Sequence, residues 1–211
     1  MRKSALCLFF LALAALPAAA TELYTNGPVN GRLSGLPIDI YSAASAEDSF
    51  TLTSTSTLTS LTFYAWEIPG DTMSSVDWGV DTIPMSYSNP TTAPTVQTFQ
   101  FNNGAWDIDQ ETISLFGTYA PGTYNLYLEN AVVPYPDATY WDINNGPSTA
   151  YIDYYGDANG YNVPGSNSNA FTIDGTIVTN GSVVPEPSSL LLLGSGLAGW
   201  MARKMRRGPK G

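Results

Sequence analysis

The 211-residue chain contains no histidine and a single cysteine, Cys7. Between Thr21 and Val183 it has no lysine, and Arg32 is the only basic residue there. Each absence excludes a class of chemistry. Without histidine there is no His-assisted serine or cysteine nucleophile. A structural zinc site of the Cys/His type is excluded for the same reason. With Cys7 inside the first twenty residues, the remainder has no disulfide and no thiolate. No phosphate-cradling loop and no dinucleotide fingerprint occurs.

The charge is as lopsided as the composition. Seventeen of the eighteen acidic residues and one of the eight basic ones fall in Thr21–Val183, a formal charge of −16. Such a surface repels nucleic acid and anionic lipid. It keeps a domain soluble outside the cell, and it attracts divalent cations.

Both ends read as targeting segments. Arg2 and Lys3, the apolar Leu6–Leu16 and the small residues Ala18-Ala19-Ala20 form the three parts of a secretory signal peptide over residues 1–20. The expected new N-terminus is Thr21, and residues 21–183 form one domain. Cys7 lies too early for a lipoprotein.

The domain must be held by a core, and it has material for one. Thr21–Val183 holds four Trp, thirteen Tyr and six Phe, and aromatic side chains bury large areas. No segment keeps an apolar period of 3.6, and no repeat recurs. Short alternating runs separated by Gly, Pro and Asn turns predict strands. They lie at Ile38–Tyr41, Asp48–Thr53, Leu58–Trp66, Asp77–Ile83, Thr95–Phe101, Trp106–Phe116, Thr123–Glu129, Ala138–Ile143, Tyr151–Tyr155 and Ala170–Val178. Residues 21–45 are otherwise turn-rich, and Ser42–Glu47 reads as a small polar connection. The expected fold is all-β, a single antiparallel β-sandwich or jelly-roll-like domain.

The C-terminal stretch has three parts in order. Val184-Pro185-Glu186-Pro187 is extended, because both prolines fix φ and lack a backbone donor. Leu190–Ala202 is apolar and uncharged. Arg203, Lys204, Arg206 and Arg207 form a basic end suited to the cytoplasmic side of a membrane. As a helix, the fifteen residues Ser188–Ala202 span roughly 22 Å, against a hydrocarbon core of about 30 Å, which suits a transient insertion.

This ordered triple over residues 184–211 resembles the PEP-CTERM sorting signal of exported bacterial proteins. The resemblance implies recognition by an exosortase, a membrane-embedded transpeptidase-like enzyme, and release or transfer to the cell surface. The Asp48–Leu52, Leu58–Trp66, Val76–Trp78, Gly122–Leu128 and Tyr140–Asp142 runs are also similar to the β-sandwich cargo of many such proteins, which carries no catalytic motif.

Carboxylates and aromatics are the remaining chemistry. Asp107, Asp109 and Glu111 alternate, so they share one strand face about 6.5–7 Å apart. That is either a carboxylate pair for glycoside hydrolysis or an ordinary solvated face, and the latter is expected. Asp153, Asp157 and Asn159, with Gly156 and Gly160, offer oxygens and turns for calcium, without the distal Glu of a complete loop. No other cofactor is expected. Trp141, Asp142, Tyr154 and Tyr155 are candidate sugar-binding residues, as are Trp106 beside Asp107 and the pair Tyr124/Tyr127. Stacked rings would carry the pyranose and carboxylates its hydroxyls. Trp66 and Trp78 are assigned to the core. A hairpin through Asn144-Asn145-Gly146 would set Tyr140–Ile143 beside Tyr151–Tyr155. Trp141 is then a platform if its face is outward and core if inward.

The expected protein is exported, non-enzymatic and delivered to the surface or extracellular matrix, with exosortase and exopolysaccharide as partners and no nucleic acid. The alternatives are a carbohydrate-binding module and a glycan-active hydrolase or lyase.

Overall fold

The computed structural model describes residues 20–32, 34–81, 90–134, 136–154, 161–162 and 168–179. The expected leader (apart from Ala20) and the tail from Val184 lie outside the described residues. The chain divides after Val178 into two compact units, and the first is described below.

Fifteen strands follow in order. They are β1 (Thr21–Thr25), β2 (Gly35–Pro37), β3 (Ala44–Leu52), β4 (Ser56–Glu67), β5 (Ser75–Asp81), β6 (Thr91–Thr92), β7 (Val96–Asn102) and β8 (Asp107–Ser114). Then come β9 (Thr118–Tyr119), β10 (Gly122–Val132), β11 (Tyr140–Asn144), β12 (Tyr151–Tyr154), β13 (Tyr161–Asn162), β14 (Ser168–Asn169) and β15 (Phe171–Ile177). No described residue is helical. A nine-stranded sheet runs β1-β15-β4-β11-β14, with β2 on β11, β8 and β9 on β4, and β7 on β8. A six-stranded sheet runs β13-β12-β3-β10-β5-β6. Every ladder is antiparallel, and the two sheets form the expected sandwich-like fold.

β4 shows why. Leu61, Phe63 and Ala65 point one way and are fully buried, while Ser60, Thr62 and Tyr64 between them are partly exposed. β15 covers one edge, setting Phe171 opposite Phe63 and Ile173 opposite Leu61. β8 covers the other, setting Ile113 opposite Leu61. Phe50, Trp78, Leu126 and Leu128 from the six-stranded sheet join the same core cluster. Burying each large apolar side chain stabilises the fold by about 1.5–3 kcal/mol.

Three stretches differ from their reading in the sequence. Ala44–Glu47 is strand, not connection. Its inward residues are only Ala44 and Ala46, a weak apolar signal, but β10 and β12 flank it on both edges. Thr21–Thr25 is also strand, paired with β15. Ile38–Tyr41 is not a strand. Ile38 is buried, and the chain then turns, with Asp39 Oδ1 accepting from the Tyr41 and Ser42 amides at 2.9 and 2.8 Å.

The expected hairpin through Asn144 does not form. β11 lies in the nine-stranded sheet and β12 in the six-stranded one. Asn144 is a buried clamp: its Nδ2 donates to the carbonyls of Asn26, Gly27 and Pro28 (2.8–3.1 Å), and its Oδ1 accepts from Ser168 at 2.6 Å. Long-range partners outweigh the local turn preference of Asn-Asn-Gly. Nearby, buried Asp48 accepts from the amides of Ser49 (2.6 Å) and Asn169 (2.5 Å) and from Asn26 Nδ2 (3.2 Å).

Candidate functional site

Register places an aromatic group on the outer face of the nine-stranded sheet. Trp66 lies opposite Tyr140 on one side and Ile108 on the other. Directly opposed residues of an antiparallel pair share a face, so Tyr140 and Trp66 point the same way, away from the inward Ala65 and Trp141. Trp106 precedes β8 and meets Tyr140 edge to face, with ring centroids 5.4 Å apart and planes at 88°. With Ser34 and Gly35 these rings line a solvent-open groove of about 380 Å³. Trp106 and Tyr140 are half-buried, and Trp66 forms the wall.

Two features hold the wall. Trp66 Nε1 donates to Asp142 Oδ1 at 2.7 Å. Gly35 lets β2 come close: a Cβ there would stand 2.7 Å from Tyr140 Cβ and 3.1 Å from the Trp141 carbonyl oxygen. Asp142 is fully buried, and burial pushes its carboxyl up to about 7 while the Trp66 bond pulls it down. The groove is therefore a concavity of mixed lining, aromatic rings beside polar backbone and hydroxyl groups, the combination that accepts a flat ring face with a polar rim.

The candidate sugar residues from the sequence fare differently. Trp141 is not a platform: its ring is 0% exposed, sits against Phe63 and Phe171, and donates from Nε1 to the Ala170 carbonyl at 3.1 Å. Pairing Trp141 with Ala65 turned that face inward. Asp142 lies behind Trp66 and is closed to solvent, so it offers no hydroxyl contact. Tyr154 is exposed, but on the other sheet. Tyr155 lies outside the described residues. Of the candidate calcium ligands, Asp153 is buried in β12, and Asp157 and Asn159 lie outside the described residues. Tyr124 and Tyr127 are buried, and Trp66 and Trp78 are buried as expected. Trp106 was legible as an aromatic beside an acid. Ser34 and Gly35 had no signal, because only the β2–β11 pairing brings them to the groove.

Residues 183–207 match the family model of the PEP-CTERM protein-sorting motif. The chain carries a PEP-CTERM tail. That motif marks an exported protein handled by an exosortase and sorted to the cell envelope or exterior. The match takes in Val184-Pro185-Glu186-Pro187 and the basic residues Arg203, Lys204, Arg206 and Arg207, all outside the described residues. Among the described residues no helix is long and apolar enough to cross a membrane. No curated protein matches the chain.

Proposed function

We propose that this PEP-CTERM protein is a non-enzymatic surface or matrix protein that holds polysaccharide in the Trp106/Tyr140 groove. The observation that carries the reading is the open aromatic concavity on the outer sheet face, walled by Trp66. Sugars present apolar ring faces and polar rims, and such rings bind them by stacking. Among the described residues the groove lining contains no carboxylate, whereas glycoside hydrolysis needs two flanking the bond. That supports binding without turnover. The strongly acidic domain favours neutral or cation-bridged glycans over polyanions.

The test is retention on the producer's own exopolysaccharide, with reducing ends assayed in parallel. Trp106→Ala is expected to lower retention about tenfold while moving the melting midpoint by a few degrees at most. Undiminished retention of a folded Trp106→Ala protein would remove the groove from the function. Reducing-end release by the purified wild-type protein, lost in Trp106→Ala, would replace the reading with a hydrolase.

Delivery makes a separate prediction. In cells with the cognate exosortase, the exported protein begins near Thr21 and lacks the segment after Pro187. Intact-mass spectrometry of the surface form reads both ends. A retained Leu190–Gly211 tail would contradict processing.

A further inference from the structure

The inner face of β4 and β8 breaks its own pattern at one end. Phe63 lies opposite Glu111, Ala65 opposite Asp109 and Glu67 opposite Asp107. Opposed residues share a face, so Asp107, Asp109 and Glu111 do share one, as their spacing required. It is the face that carries Phe63 and Ala65, so Glu111 is buried on it, while Asp107 and Asp109 keep partial exposure. Glu67 and Glu111 are each 0% exposed. One carboxylate oxygen from each of Glu67, Asp109 and Glu111 lies within 4.8 Å of the other two.

A second observation is independent of the clustering. Both oxygens of Glu67, both of Glu111 and Oδ1 of Asp109 are buried without a hydrogen-bond partner. Gln97 stands beside Glu111, but its Nε2 donates to the Met73 carbonyl at 2.8 Å. Buried polar oxygens are normally bonded, and leaving them bare costs several kcal/mol for a charged group. Among the described residues no basic side chain answers them, since Arg32, the only one there, is exposed.

We propose that Glu67, Asp109 and Glu111 form a calcium site within the sandwich. The donors are all oxygen, which selects a hard cation. Oxygens on opposite sides of a calcium ion lie about 4.6–5.2 Å apart, twice its usual bond length, and those of magnesium about 4.0–4.2 Å. A set contained within 4.8 Å therefore closes on calcium with small side-chain movements. Three carboxylates supply up to six oxygens, near the six to eight that calcium takes. The ionisation behaviour agrees: burial first, then the neighbouring Asp109, Asp71 and Asp107, push Glu67 up to about 8. Burial and Glu67 push Glu111 up to about 8 against the nearby Gln97 amide. Such groups either hold protons or share a cation, and a divalent ion satisfies all three at once. The site lies on the opposite sheet face from the aromatic groove, so it is structural, tying the end of β4 to β8.

The full chain, stripped with EDTA, is titrated with calcium chloride and separately with magnesium chloride, and followed by calorimetry and thermal melting. One calcium per chain is expected, with weaker magnesium binding. At a hundredfold excess over Kd the midpoint is expected to rise by about 5–10 °C. Glu111→Gln and Glu67→Gln keep the shape and remove a charge. Each is expected to melt at or above the wild type in EDTA and to lose the calcium-dependent rise. That opposite pair of effects separates a ligand from a merely structural residue. Equal wild-type midpoints from EDTA to 10 mM calcium would overturn the site, leaving a proton-sharing cluster. So would an undiminished calcium shift in both variants, which would place the ion elsewhere.

Discussion

Raising the pH from 4.5 to 7.5 in EDTA is expected to lower the melting midpoint of the domain by about 10–20 °C. Three buried carboxyls outside the proposed cation site set the sign. Burial pushes Asp142 up to about 7, with the Trp66 bond opposing. Burial, Asp153 and Glu129 push Glu47 up to about 7. Burial pushes Asp48 up to about 6 against its hydrogen bonds. Ordinary carboxyls ionise near 4. Between that value and 6–7, the folded protein keeps protons that the unfolded chain has released. The stability is fully present below about pH 4 and is lost as pH rises through the folded values. Each tenfold in an ionisation constant is about 1.4 kcal/mol, so these groups together are worth several kcal/mol of an ordinary total of about 5–15. Asp142→Asn keeps an acceptor for Trp66 Nε1 and cannot ionise. It is expected to match the wild type at pH 4.5 and to melt higher at pH 7.5. A flat midpoint across that range would show that these carboxyls are not buried as described.

Trp141→Ala is expected to cost about 3–5 kcal/mol, enough to unfold much of a domain of ordinary stability. The ring fills the space against Phe63 and Phe171, and its Nε1 satisfies the Ala170 carbonyl. Truncation leaves a cavity and an orphaned acceptor together. Tyr154→Ala, at a side chain 43% exposed, is the contrast and should stay within about 0.5 kcal/mol of the wild type. Chemical denaturation read by circular dichroism compares the two. A Trp141→Ala protein with the wild-type midpoint would contradict its place in the core.

How much of this was legible varied with the kind of signal. Leu58–Trp66 was plain, because strand-forming Thr, Phe, Tyr and Trp fill five of its nine positions, and β4 is that run with short extensions. Ala44–Glu47 was not, since alanine carries too little apolar contrast to show a face. The groove was half legible: Trp106 stood out, but Gly35 and Ser34 reach it from seventy residues away in sequence, through a pairing that no local pattern encodes. Asn144 looked like a turn residue and acts as a clamp for the same reason.

The sequence by itself determined the all-β class, the lack of histidine, thiol and zinc chemistry, the acidic charge and the PEP-CTERM tail. These follow from composition, local alternation and a contiguous motif, which need no knowledge of distant partners. Only the tertiary structure decided which face of each strand points inward. A period of two separates the faces of β8 and β11 but does not say which one the core covers. Pairing with β4 chose: it decided the face of Trp141 in β11, which the sequence left open, and it reversed the expected solvated face of β8. It took Trp141 out of solvent into the core, and it brought Asp109 and Glu111 inside to stand beside Glu67.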